Sequence, residues 1–137
     1  MVHYRKLLNI SYQRAVSPDS EGFFKRFYEK LNKDPQIAAL FSKIDMDRQI
    51  KMLIQSMTLV ISFAVTMKTS EEMNHIAKIH GKNKLNLPAN MYDIWVDCLV
   101  DTVKEYDPEF NSQIETAWRV VMAPGIAHMK SFCSNQN

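Results

Sequence analysis

Proline and glycine usage limits this chain to a helical fold more tightly than any other feature. Four of the five prolines stand where a helix would begin. Ser17-Pro18-Asp19-Ser20-Glu21 reads as a capping serine, a proline and then acids; Asp34-Pro35 and Asp107-Pro108-Glu109 repeat the device. Pro88 follows the turn-like stretch from Gly81 to Asn86. Proline suits a first helical turn because the N–H it lacks would have no intrahelical partner there. Only three glycines occur in 137 residues, too few for the turns of most β-rich folds.

Between these marks the apolar residues keep a three-four rhythm. Ile50, Leu53, Ile54, Met57, Val60, Ile61 and Ala64 share one helix face. Met91, Ile94, Trp95, Cys98, Leu99, Thr102, Val103 and Tyr106 share another, as do Ile114, Trp118, Val121, Gly125, Met129 and Phe132. The pattern predicts helices over about 3–16, 18–33, 35–41, 46–67, 71–80, 88–106 and 109–132. Pro124, inside the last of these, predicts a kink. No strand alternation, repeat or linker interrupts the series. The expected class is all-α, with residues 1–137 forming one domain.

Composition excludes several functions. Seventeen basic and fifteen acidic residues give a net charge of +2, scattered without blocks. A nucleic-acid groove or a polybasic membrane anchor would show a cluster. No 18-residue apolar run and no apolar signal core are present. Cys98 and Cys133 form no C-x-x-C pair, which fits a reduced, cytoplasmic protein. Gly-rich phosphate loops, G-x-S-x-G and H-E-x-x-H are missing. Glu71-Glu72, at an expected helix start, favours the positive dipole end over acid/base work.

Two stretches remain that carry chemistry. The first runs from Phe27-Tyr28-Glu29 through Asp34-Pro35 and Phe41 to Asp45-Met46-Asp47-Arg48-Gln49; the second is His80, followed by Pro88 and Tyr92. The first stretch resembles helix B through early helix E of bacterial globins, including truncated ones. The spacing from Gln49 to His80, the Tyr92-Asp93-Ile94-Trp95 motif, Asp107-Pro108 and Ala117-Trp118 are more similar to single-domain globins and the haem domain of flavohaemoglobins. The resemblance covers about residues 20–132. It implies a globin fold of six to eight helices around haem b (iron protoporphyrin IX).

Carried over residue by residue, the resemblance makes His80 the iron ligand. The residue-level alternative is a histidine capping a helix before Gly81. His75 is the rival ligand, but five positions on a helix are about 140° of rotation, so it cannot share His80's face. His3 and His128 read as solvated or packed. Tyr28 matches the distal tyrosine and Phe41 the ring lying flat on the porphyrin. Gln49 and Leu53, four apart, stack on one helix face and face the open side of the iron in the family pattern. There Gln49 can donate to a bound O2. Tyr92 matches a pocket residue near the proximal histidine, and Trp95 can reach the ring edge. Core packing is the alternative for Tyr28, Phe41, Leu53 and Tyr92, and a solvated helix start for Gln49. Two departures stand out. No carboxylate occurs around His128 to Cys133, where flavohaemoglobins place a glutamate toward the proximal histidine. The loop from Gly81 to Leu87 is also two residues longer than usual.

The implied function is reversible binding of O2, CO or NO by a His-ligated iron with Tyr28 and Gln49 as donors. One alternative is nitric oxide oxidation with a separate reductase, since 137 residues leave no room for flavin and nicotinamide domains. Another is a gas-sensing or interaction module acting through a partner.

Overall fold

The computed structural model describes residues 2–66, 71, 74 and 88–131. Six α-helices and a short 3-10 turn account for nearly all of them: α1 (Val2–Ala15), α2 (Ser20–Leu31), α3 (Pro35–Phe41), α4 (Met46–Thr66), α5 (Asn90–Tyr106) and α6 (Ser112–Lys130). No strand occurs among the described residues, as the spacing predicts. Of the helix expected over 71–80, only Glu71 and Asn74 are described, both helical. His75, His80, the 81–87 loop and Cys133 lie outside the described residues.

The caps explain most boundaries. Asp34 accepts from the N–H groups of Gln36 (2.9 Å) and Ile37 (3.2 Å), with Pro35 next, so α3 starts where expected. Asp45 holds the N–H of Asp47 at 3.1 Å and opens α4. Two starts differ from the sequence reading. Ser17-Pro18-Asp19 form the 3-10 turn, and Asp19 rather than Ser17 caps α2, accepting from Gly22 N–H at 3.0 Å. A Cβ on Gly22 would run into the Asp19 carboxylate, so this cap needs glycine three positions on. At the other end Asn111 caps α6 through Ile114 N–H (2.9 Å), and Asp107 has another task. The last helix runs through Pro124 as one element to Lys130.

The amphipathic stripes then dictate packing. On α2, Phe23, Phe24, Phe27, Tyr28 and Leu31 are buried while Glu21, Lys25 and Glu29 face water. Helix α1 packs mainly on α6, α4 on α6 and α2, and α2 on α5. Trp118, Phe23, Phe24, Phe27, Leu8, Met57, Leu99 and Met122 fill the centre. Removing a side chain of this size from water is worth roughly 1.5–3 kcal/mol.

Among the described residues Asp107 is the one buried carboxylate, at 2 % exposure. It accepts from Ser11 Oγ at 2.7 Å and from the Arg14 guanidinium at 2.6 and 3.0 Å. Ser11 in turn accepts from Trp118 Nε1 at 3.0 Å. One cluster therefore ties α1, the end of α5 and α6. Burial alone would raise the Asp107 pKa, but the bonds from Arg14, Ser11 and the Glu109 N–H outweigh it and hold the carboxyl below its ordinary value.

The outer face of α5 carries acids at every fourth position. Asp93 pairs with Lys130 at 2.7 Å and Asp97 with Arg119 at 2.9 Å, both on α6. Asp101 pairs with Lys30 at 2.6 Å and Glu105 with Arg26 at 3.0 Å, both on α2, and Lys30 also reaches Glu105. No described helix is long and apolar enough to cross a membrane.

Candidate functional site

Tyr28 lies in the last turns of α2, pressed inward by the stripe that buries Phe24, Phe27 and Leu31. It is 3 % exposed, yet carries a polar hydroxyl. Gln49, in the first turn of α4, supplies its partner: Nε2 donates to Tyr28 Oη at 3.2 Å. Cap Asp45 sets where α4 begins and thus which face Gln49 occupies. Leu53, one turn on, is half-buried and packs against the core.

The direction of that bond matters chemically. The phenol oxygen accepts from the amide, which leaves the phenol O–H to donate elsewhere. Burial pushes the Tyr28 pKa up to about 12, against a smaller lowering by the Gln49 bond. The phenol stays neutral near pH 7 and keeps its proton. Nothing anionic is created at this spot.

Aromatic rings surround the pair. Phe41, the last residue of α3, meets Tyr28 edge-on with centroids 5.5 Å apart. Phe27 meets Tyr28 at 5.1 Å and Trp95 of α5 at 5.5 Å, both edge-to-face. Such contacts add about 0.5–1.5 kcal/mol each beyond area burial. They lock the row Phe41, Tyr28, Phe27 and Trp95 across three helices. Tyr92, 8 % exposed, lies three positions before Trp95 on the same helix.

Five of the residues singled out in the sequence thus come together: Tyr28 and Gln49 by a hydrogen bond, Phe41 and Trp95 through the aromatic row, and Leu53 one turn from Gln49. Tyr92 is buried on the helix that carries Trp95. His80 and its rival His75 lie outside the described residues. Sequence reasoning gave no role to Phe27, the fully buried ring that joins Tyr28 to Trp95; its place beside Tyr28 in the α2 stripe was the available signal. His128 turns out to be packed, against Phe63 of α4, with Asn74 at its ring nitrogen. No sequence pattern marks that contact, which spans 54 positions. Among the described residues no cluster of three or more His, Cys, Asp or Glu forms a metal site.

The chain also compares directly with known proteins. The protein-family model described as Globin matches residues 15–129. Among solved structures, protein PA3967 from Pseudomonas aeruginosa PAO1, reported as structurally highly homologous to a human hemoglobin, superposes with a TM-score of 0.85. It shares 29% identity over 96% of this chain and 99% of its own. No curated protein matches significantly. A family match spanning most of the sequence and a full-length structural likeness agree with the order of helices and the aromatic-walled site between α2, α3, α4 and α5: the chain belongs to the globin family.

Proposed function

We propose that this chain, folded as one globin domain over residues 1–137, binds haem b with His80 as iron ligand and takes up diatomic gases on the side of Tyr28 and Gln49. Phe41, Leu53, Tyr92 and Trp95 line the cofactor. The observation that carries this reading is the Gln49-to-Tyr28 hydrogen bond, a donor pair set into an otherwise aromatic and apolar wall. The residues suit a flat apolar macrocycle. They offer ring surfaces, two neutral donors and no competing charge. Haem, when bound, supplies an open coordination position for O2, CO or NO.

The work of the protein is orientation and exclusion. Gln49 donates to the phenol oxygen, which polarises Tyr28 and fixes the direction of its O–H. Tyr28 donates to a gas ligand that carries partial negative charge, and its raised pKa keeps the proton in place. Leu53 keeps water from the same space. A hydrogen bond to a strongly polar or charged partner is worth roughly 1.5–3 kcal/mol. Two donors favour slow release or chemistry over loose transport. The finer likeness, to single-domain globins and flavohaemoglobin haem domains with a truncated-globin-like B-to-E region, belongs to this proposal. So does a cytoplasmic location, which agrees with the free, half-buried thiol of Cys98.

The test is the absorption spectrum of purified protein reconstituted with haem, reduced and exposed to CO, beside His80→Ala. A sharp Soret band that shifts with CO, and is lost or altered in the variant, is expected. Absence of stoichiometric haem uptake refutes the proposal and leaves an interaction module acting through a partner.

The same donor pair favours a second reading, oxidation of nitric oxide to nitrate by O2, which would supply both added oxygen atoms, with a separate reductase returning the oxidised iron to its gas-binding state. Sustained NO consumption with an added electron donor would establish turnover. A single stoichiometric reaction would leave gas binding as the function.

A further inference from the structure

Lys30 differs from the other cations that join α2 to α5. Its side chain is only 10% exposed, whereas Asp101 and Glu105 keep 63% and 42% of theirs in water. Nζ meets Asp101 Oδ2 at 2.6 Å and also reaches Glu105, one turn on along α5. Burial works against the charge, yet the bonds to Asp101 and Glu105 outweigh it and hold the ammonium pKa above its ordinary value. A lysine covered to this degree is rare without a partner. The two carboxylates therefore fix where its head sits, and the packed stem ties that position to the last turn of α2.

Tyr28 stands in the same turn. Two positions on a helix are about 200° of rotation, so Lys30 and Tyr28 leave α2 on nearly opposite sides. Lys30 points to α5 and Tyr28 to Gln49 of α4. Helix α2 touches both neighbours. Its apolar stripe selects the face that turns inward, but burial is non-directional and leaves the angle loosely set. A turn of about 10° about the helix axis carries an atom at the side-chain rim, roughly 5–6 Å out, by about 1 Å. The Gln49–Tyr28 bond, at 3.2 Å, is already at the long end of N–H···O geometry. Stretching it by about 1 Å more would break it.

We infer that Lys30 is a positioning residue for Tyr28: its clamp on Asp101 and Glu105 sets the rotation of α2 that brings Tyr28 Oη to Gln49. The consequence for a bound gas rests on the role given to that pair under the proposed function.

The side-chain amide of Gln49 reports the bond directly, by isotope-edited NMR of the protein reduced and saturated with CO. The C–O stretch in the infrared reports the same donors from the side of the gas. Tyr28→Phe marks where both signals stand without the bond. Lys30→Met keeps the stem and removes the charge. It is expected to move the Gln49 resonance and the C–O band toward the Tyr28→Phe positions, and to speed O2 dissociation by up to about tenfold. Lys30→Arg restores the pairing and is expected to bring both signals back, which stem packing alone would not do, since methionine fills the same space. Asp101→Asn combined with Glu105→Gln removes the clamp from the other helix and is expected to move the Gln49 resonance as Lys30→Met does. A Gln49 resonance at the wild-type position in either folded variant overturns the inference. A wild-type protein that takes up no haem or CO refutes the proposed function instead; the Gln49 resonance, read on the same protein unloaded, still decides for or against the clamp.

Discussion

Replacing Asp107 by alanine tests the fold at its most polar buried point. The wild-type carboxylate is 2 % exposed and accepts from Ser11, from two nitrogens of Arg14 and from the Glu109 N–H. Removing one partner of a buried ion pair costs about 3–5 kcal/mol, mostly through the charge left unpaired. Arg14 keeps 28% of its side chain in water, so it can recover part of its hydration. That places the cost at about 2–4 kcal/mol, a large share of the roughly 5–15 kcal/mol that holds a domain together. For a chain of this length the midpoint of thermal unfolding falls by about 8–15 °C. Urea denaturation followed by far-UV circular dichroism measures the free-energy loss and a thermal scan the midpoint, with wild type and variant at the same haem loading because a ligand raises apparent stability. Ser11→Ala completes a double-mutant cycle, and a coupling of about 1 kcal/mol or more is expected. The pH dependence gives an independent check. The folded pKa of Asp107 lies below its ordinary value, so its contribution is complete above the ordinary carboxylate pKa. It disappears as pH falls through the folded value, and wild type and variant converge in acid. A loss below about 0.5 kcal/mol at pH 7, or a difference that persists in strong acid, would refute the reasoning.

Three further outcomes are expected. Tyr28→Phe and Gln49→Leu should each speed O2 dissociation by about tenfold to a hundredfold, from the loss of roughly 1.5–3 kcal/mol per donor; stopped-flow rates unchanged in both would remove the donor pair from the function. Glu105 is held down at about 2 by its bonds to Arg26 and then Lys30. It is also 42% exposed, so solvent and salt screen the pair, and Glu105→Gln should cost no more than about 1 kcal/mol. That cost should vanish in high salt and as pH falls from the ordinary range near 4.3 toward the folded value; a salt-independent loss would contradict it. Gly22→Ala should be close to neutral by thermal denaturation. The roughly 1 kcal/mol gained in helix propensity is offset by about 1 kcal/mol as the Asp19 cap is pushed aside, and a clear gain would show that the cap contributes little.

Local chemistry was legible in the sequence and long-range chemistry was not. Asp34-Pro35 fixed the start of α3 to the residue, because a cap and its targets lie within three positions. The Ser17-Pro18 signal points two residues too early, since Pro18 suits a 3-10 turn as well as a first α-turn and Asp19 is the better-placed acceptor. Asp107-Pro108 has the pattern of a cap, and its carboxylate does bind the Glu109 N–H, but most of its bonding goes to Ser11 and Arg14 on the first helix. No periodicity reports a partner more than ninety positions away. The meeting of Tyr28, Gln49, Phe41 and Trp95 came from family resemblance rather than from spacing, because four helices must pack before those side chains share a wall. The contact of His128 with Asn74 left no trace in the sequence, where a lone histidine carries no direction.

The acids of α5 recur every four residues, a rise of about 6 Å. A repeat of that kind has approximate translational symmetry: displaced by one step, three of the four acids would stand near a neighbour's cation. The stripe rewards contact with α2 and α6 but does not choose among stops, much as a ratchet without a pawl. Asp107, two residues past Glu105, supplies the pawl. It has one buried seat, between Ser11 and Arg14, and no second seat lies a turn away on the same face of α1, where Leu7 and Leu8 stand. Asp107 therefore adds a polar, single-seat specification of register to the one the buried stripe of Leu99 and Val103 already makes.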